Sequence, residues 1–308
     1  MNSSIIHVGY PKTATTWFQN HFYANINNYN YIARPDLFKH FIEPDIFTYN
    51  ASKALENLKA GDKPMLVCEE LLMGGIDIGF GNGSYLREMA LRLKATFPNP
   101  RIVLFLRNQV ETIASWYYQY VRTGGSYSPK RFLFRNNMYN LFYKEYDLFS
   151  FKLLEYDKII DLYTSVFGTE NVDIYLYEDL DKNGKVFFDR FIGIYNFELS
   201  APDEIEWLKK PNRRYRTSIL KIARFVNMFT YKNHVFKRYF FHVPYLYEFS
   251  LRVFQRLNNC KLFGPRASSQ TILGKSTIAY IEEYYKESNR RSMEKHKLHT
   301  LKDYGYPL

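Results

Sequence analysis

Lysine, threonine and proline crowd into Gly9-Tyr10-Pro11-Lys12-Thr13-Ala14-Thr15-Thr16-Trp17, directly after the apolar run Ile5-Ile6-His7-Val8. A helix opening here would present unpaired backbone N–H groups and the positive end of its dipole, and together these attract an anion. Lys12 adds a mobile positive charge, and Thr13, Thr15 and Thr16 add hydroxyl donors. The plainer reading is a strand-to-helix turn capped by threonine. A Walker A loop is disfavoured, since that pattern ends in Gly-Lys-Ser/Thr, whereas Lys12 comes early and follows Pro11 directly rather than a glycine. A magnesium-dependent nucleotide kinase is the enzyme alternative that this absence counts against.

Two further groups have the right chemistry. In Leu104-Phe105-Leu106-Arg107-Asn108, Arg107 follows an apolar run and so stands at a strand's carboxyl end. A guanidinium there can hold a phosphate through two parallel hydrogen bonds. Ser115 follows eight residues later, about two helical turns on. The segment Val67-Cys68-Glu69-Glu70-Leu71 places two carboxylates at another strand end, where a carboxylate can act as a general base. Adjacent carboxylates repel and raise one pKa. Neighbours along a strand point to opposite faces, so only one faces a ligand. Glu70 is the expected base and Glu69 the alternative; a helix-start acid or a partner for Lys12 is the structural reading.

These residues need a scaffold that gathers strand ends. Four β-branched apolar runs, Ser4 to Val8, Met65 to Cys68, Ile102 to Leu106 and Val172 to Tyr177, read as buried parallel strands. Helical stretches lie between or after them at Thr15 to Tyr23, Tyr85 to Thr96, Gln109 to Arg122, Leu148 to Phe167 and Gly184 to Tyr195, the last bounded by the turn signal Asn183-Gly184. The alternation predicts an α/β fold, a three-layer sandwich with a central parallel sheet flanked by helices. Ligands in such sheets sit at the carboxyl ends of the strands. From Ser218 to Phe263 the chain turns basic, aromatic and helical, and Ile278 to His299 reads as a charged helix. We expect one domain over residues 1–308: a nucleotide-binding core (1–200) and a helical portion (201–308).

Composition narrows the partners. The 308 residues carry 42 Lys and Arg against 31 Asp and Glu, a net charge of +11, which favours anionic partners such as nucleotides, acidic glycans or phospholipid faces. A nucleic-acid-binding protein is the non-enzyme alternative, but no recognised binding motif occurs, and we expect no nucleic-acid partner. Cys68 and Cys260 provide no disulfide framework, which suits a reducing compartment. No apolar stretch is long enough to cross a membrane. A core strand so near the start leaves no room for a signal peptide, so a cytoplasmic protein is expected. His296 and His299 lie in a charged stretch and suggest no metal site.

The first loop resembles the 5′-phosphosulfate loop, Pro-Lys-Ser/Thr-Gly-Thr-Thr, of sulfotransferases that use PAPS (3′-phosphoadenosine-5′-phosphosulfate). Ala14 replaces the family's glycine, which is tolerable at negative φ but alters the approach to phosphate otherwise. The resemblance implies a P-loop-like fold, PAPS as donor, PAP (the desulfated nucleotide) as product, and no metal. It places Pro11 to Thr16 around the 5′-phosphate, with Lys12 on the bridging oxygen. Arg107 and Ser115 would hold the 3′-phosphate, and Tyr177, of Tyr177-Glu178-Asp179-Leu180, would lie near adenine. Trp17 matches a position that packs on adenine in some members, or else belongs to the core. Asn212, Arg213, Arg214 and Arg216 resemble the nucleotide flap of the bacterial subgroup. Ser288-Asn289-Arg290-Arg291 and Asp303-Tyr304-Gly305-Tyr306-Pro307 are similar to that subgroup's ending. Glu70 falls on the final acid of its Ser-Ser-Glu or Ser-Asp-Glu segment.

By the same resemblance the acceptor is a hydroxyl, or else an amine, of a glycan or glycolipid, under a mobile loop at Arg122 to Asn137. The segment Thr230 to Arg256 is open to two readings: a peripheral contact with an anionic membrane collecting a lipid-linked glycan, or core helices with a basic outer face.

Overall fold

The computed structural model describes residues 3–59, 61–75, 83–134, 149–200, 214–231 and 237–308. Five strands form one parallel sheet: β1 (Ile5–Gly9), β2 (Asn30–Tyr31), β3 (Met65–Cys68), β4 (Arg101–Leu106) and β5 (Val172–Leu176). Their order is β2-β3-β1-β4-β5. β2 is an addition to the four runs expected, a two-residue edge strand paired with Met65 and Leu66. The chain leaves β1 toward the β3 side and leaves β4 toward the β5 side. The crevice between the carboxyl ends of β1 and β4 is therefore the switch point where this class of sheet binds ligands.

The helices in chain order are α1 (Thr15–Trp17), α2 (Arg34–Leu37), α3 (Ala51–Leu58), α4 (Ser84–Thr96), α5 (Gln109–Arg122), α6 (Pro129–Leu133), α7 (Tyr156–Phe167), α8 (Tyr177–Tyr195), α9 (Thr217–Val226), α10 (Leu246–Leu257), α11 (Ser269–Leu273) and α12 (Lys275–His296). Every residue of β1 is buried, and alternate side chains serve opposite layers. Ile6 and Val8 join α4, α5, α7 and α12 in one core. Ile5 joins Phe18, Phe22 and the α8 residues Phe187, Phe188 and Phe191 in the other. Helices thus cover both faces, making the α/β three-layer sandwich expected, with α9 to α12 as its helical C-terminal portion.

α5 begins at Gln109 because the Asn108 side chain accepts from the backbone N–H groups of Val110 and Glu111, a standard N-cap. α8 differs from expectation. It starts at Tyr177, and Asn183 (φ −118°) is a kink inside it rather than a boundary. Leu180 on one side of the kink and Phe187 on the other both bury into the second core, so packing carries the helix across the turn signal.

Candidate functional site

The loop after β1 has its carbonyls held by protein. The Tyr10 carbonyl accepts from Thr13 Oγ1 at 2.6 Å and from the Thr13 amide at 3.2 Å. The Pro11 carbonyl accepts from Trp116 Nε1 at 3.1 Å, and the Lys12 carbonyl from Arg107 Nη1 at 2.8 Å. By contrast, the amides of Lys12, Ala14, Thr15 and Thr16 find no acceptor among the described residues. Unpaired amides at a helix start point their N–H groups the way an anion would need them. Lys12 is half-buried, with no carboxylate partner for its ammonium among the described residues.

The backbone turns through the left-handed region twice, at Lys12 (φ 77°) and Ala14 (φ 68°). The condition under which Ala14 would be harmless, a negative φ, is therefore not met. A Cβ at such φ costs about 1–2 kcal/mol, and the glycine of the resembled pattern would avoid it. Gly9 also has a steric role, because a Cβ there would stand 2.7 Å from Thr15 Cγ2 and 2.9 Å from Thr13 Oγ1.

The two neighbouring acids have separate surroundings. Glu69 is fully buried; its carboxylate accepts from the Leu71 amide at 3.1 Å and Gln19 Nε2 at 3.3 Å, and pairs with Arg34 Nε at 3.1 Å. It caps the short helical turn Glu70–Met73. Burial raises its pKa, with the Leu71 amide and Arg34 opposing. Glu70 faces the loop instead, accepting from Thr15 Oγ1 at 3.2 Å. At Glu69 burial is the main cause of the raised pKa, with repulsion by its neighbour a lesser contribution.

Arg107 leaves the end of β4 with Nη1 on the Lys12 carbonyl and its guanidinium 4.6 Å above the Tyr177 ring. Its Nε is buried without a hydrogen-bond partner. Ser115 is buried on α5, next to the Trp116 that holds Pro11. Arg214 pairs with Glu111 of α5 at 3.1 Å. Arg216 is committed to the carbonyls of Gly264 (2.6 Å) and Asn258 (3.1 Å). Asn212 and Arg213 lie outside the described residues. Trp17 is only 7% exposed and packs 4.9 Å from Phe188, inside the second core; of its two readings, the core one describes its surroundings.

The bracing contacts of several residues escaped the sequence reading. The buried Glu178 accepts from the Asn108 amide at 2.8 Å and from Tyr306 Oη at 2.8 Å. Asn108 Nδ2 donates to the Gly305 carbonyl at 2.7 Å, and Gln109 and Asn289 exchange amide hydrogen bonds at 2.7 and 3.2 Å. Asn289 of α12 and residues beyond that helix therefore brace the chain next to Arg107. Beneath the loop, His7 is fully buried, stacked on Phe105 at 4.8 Å, with Nδ1 on Tyr23 Oη at 3.0 Å and Nε2 unpartnered. Burial lowers its pKa to about 3.

Outside this crevice, a cleft of about 540 Å³ is lined by Asn108, Glu111, Glu178, Ser269, Lys275 and Glu282 among others. Three carboxylates against one ammonium oppose an anionic ligand in that cleft. Among the described residues no group of three or more His, Cys, Asp or Glu could hold a metal ion, and no helix is long and apolar enough to cross a membrane. The expected acceptor loop is not loose where described. Gly124 to Tyr127 are buried, Tyr120 Oη accepts from the amides of Ser126 and Tyr127, and Asn227 Nδ2 donates to the Gly125 carbonyl. Residues 135–137 lie outside the described residues.

A family model described as a sulfotransferase domain matches residues 2–247. A crystal structure of a sulfotransferase from Alicyclobacillus acidocaldarius is similar at a TM-score of 0.48 and 14% identity, covering 68% of this chain and 87% of that one. No curated protein matches.

Proposed function

The chain belongs to the sulfotransferase family and is an enzyme of sulfuryl transfer, and from this premise we propose that its donor is PAPS and its acceptor a hydroxyl of a carbohydrate or glycolipid. The observation that carries the donor reading is the convergence on one loop of four free amides, the Lys12 ammonium and the Arg107 guanidinium. The loop amides bind the 5′-phosphate and Arg107 with Ser115 the 3′-phosphate, the group that separates PAPS from ATP.

In the reaction the acceptor oxygen attacks sulfur, the bond from sulfur to the 5′-phosphate oxygen breaks, and PAP leaves. Transfer of this kind asks the protein mainly to position groups and stabilise charge. Lys12 neutralises the phosphate oxygen as it gains charge. Glu70, held beside the loop by Thr15, takes the acceptor proton. Glu69 is engaged by Arg34, Gln19 and Leu71, which favours Glu70 for this role. A sugar hydroxyl as acceptor rests on the family resemblance together with the aromatic content of the chain.

Calorimetry with PAP and AMP tests the donor. PAP should bind at least about tenfold more tightly, as expected for a charged pair to the extra phosphate. Equal affinities would remove PAPS. Labelled PAPS with a glycan and lipid extract, read by mass spectrometry, identifies the acceptor; label found only on non-carbohydrate amines or phenols would overturn the carbohydrate reading.

A further inference from the structure

Glu248 is the one acid between Thr217 and Phe263, a span containing eight lysines and arginines. α9 buries Ile219, Leu220 and Ala223, and leaves Ile222 and Phe225 exposed on its other side. Beyond it, the chain at Met228–Phe229 lies alongside residues 240–243: the Phe240 amide donates to the Met228 carbonyl at 2.8 Å and the Val243 amide to the Phe229 carbonyl at 2.9 Å. Phe229 then contacts Phe225, Phe240 and Phe241, at 5.4, 5.7 and 5.2 Å between ring centroids. The result is a continuous aromatic shelf whose outer rings stand in water, Phe225, Phe240 and Phe241 being 58–60% exposed. Further along the chain, Tyr245 and Phe249 are 84% and 66% exposed. Lys221, Arg238 and Arg252, within four residues along the chain of Phe225, Phe240 and Phe249 respectively, are exposed too.

Single exposed aromatics need no explanation, but a contiguous patch does. Its chemistry selects the occupant. Phenyl rings with tyrosines and a cationic rim match the bilayer interface, where aromatics seat at headgroup depth and lysines and arginines are drawn to anionic lipid. A second copy of the same face would set like charges against each other. The shelf is also tied to the end of α5. Asn227 Nδ2 donates to the carbonyls of Val121 (2.7 Å) and Gly125 (2.8 Å), Ser126 Oγ to that of Arg238 (2.7 Å), and Tyr247 Oη to that of Arg122 (3.0 Å).

We propose that this shelf seats the enzyme on an anionic lipid surface, presenting the segment after α5 to a lipid-linked acceptor. The lipid acceptor rests on the function proposed above; the docking does not. The test is co-sedimentation with vesicles of phosphatidylcholine alone, and with about one quarter phosphatidylglycerol. Binding should require the anionic lipid and weaken in about 0.5 M salt. The double variant Phe240→Ser/Phe241→Ser should bind about tenfold or more weakly, with its melting temperature and PAP affinity those of the parent. Indifference to anionic vesicles, or undiminished binding by the variant, overturns the proposal. So does a dimer in light scattering that the same variant dissolves, which would give the shelf to a second copy. Vesicles contain no donor or acceptor. Failure to bind them leaves the enzymatic reading untouched, and failure to bind PAP leaves the surface reading untouched.

Discussion

Arg107 donates through Nη1 to the main-chain carbonyl of Lys12 across 2.8 Å, so the end of β4 and the loop after β1 form one unit. The residue proposed to select the 3′-phosphate thereby also fixes the loop proposed to hold the 5′-phosphate. Arg107→Ala should reduce PAP affinity about ten- to hundredfold, the worth of a charged hydrogen bond or two. AMP binding should fall less, through the loosened loop alone. Calorimetry with both nucleotides reads the difference, and an unchanged ratio would remove the 3′-phosphate role.

Glu70 and Glu69 should respond oppositely to the same change. Glu70→Gln should lower turnover by about a hundredfold or more, the usual scale of a lost general base, with PAP affinity within about threefold. Glu69→Gln should act on stability, leaving Arg34 without its charge partner and the cap weakened. Turnover assays and chemical denaturation of the two variants distinguish the roles; normal turnover by Glu70→Gln excludes it as base.

Ala14 adopts a backbone angle that glycine accepts freely. Ala14→Gly should therefore raise stability by about 0.5–1 kcal/mol, less the greater freedom of glycine in the unfolded chain. Urea denaturation measures this. A stability loss would mean that Ala14 makes contacts outweighing its strained φ.

His7 makes the fold acid-sensitive. Its folded pKa, lowered to about 3, lies below the ordinary 6.5, so the unfolded chain binds a proton that the native one refuses. Its contribution is present above pH 6.5 and is lost as pH falls toward the folded value, at up to about 1.4 kcal/mol per pH unit. His7→Gln should flatten stability between about pH 6.5 and 4 relative to the parent, while costing stability near neutrality through lost ring packing. Parallel pH profiles would dismiss His7 as the titrating group.

Asn289→Ala should cost about 1–3 kcal/mol, since it leaves the buried Gln109 amide without its partner. In a double-mutant cycle with Gln109→Ala, the second change should cost much less once the first is made. Full additivity would show that the exchanged hydrogen bonds contribute nothing.

What was legible in the sequence was local. β3 and β4 read as strands because both their faces are buried, leaving uninterrupted apolar runs, and the bounds expected for α5, Gln109 to Arg122, are those observed. The loop after β1 and Arg107 sit directly at strand ends, so a short window contains the chemistry proposed for them. β2 has two half-buried residues and no pattern to detect. Glu178 and Tyr306 meet across 128 positions, and Gln109 and Asn289 across 180; no window reveals that they brace Arg107. Trp17 was ambiguous because an aromatic after a phosphate loop serves a base or a core equally well, and Phe188 settles its neighbours only in three dimensions.

Glu69 and Glu70 are consecutive, and their division of labour is set by how β3 lies on β1, with the Glu69 amide on the His7 carbonyl at 3.3 Å. A slip of one residue along the sheet would exchange the faces of all the side chains that follow. One of the two acids would then take the other's position and the other would be carried past it, so Thr15 and Arg34 would not both keep their carboxylates. The reading frame of two strands is thus part of what the proposed reaction depends on: a misaligned molecule could be compact and helical, and still lack the acid proposed to take the acceptor proton.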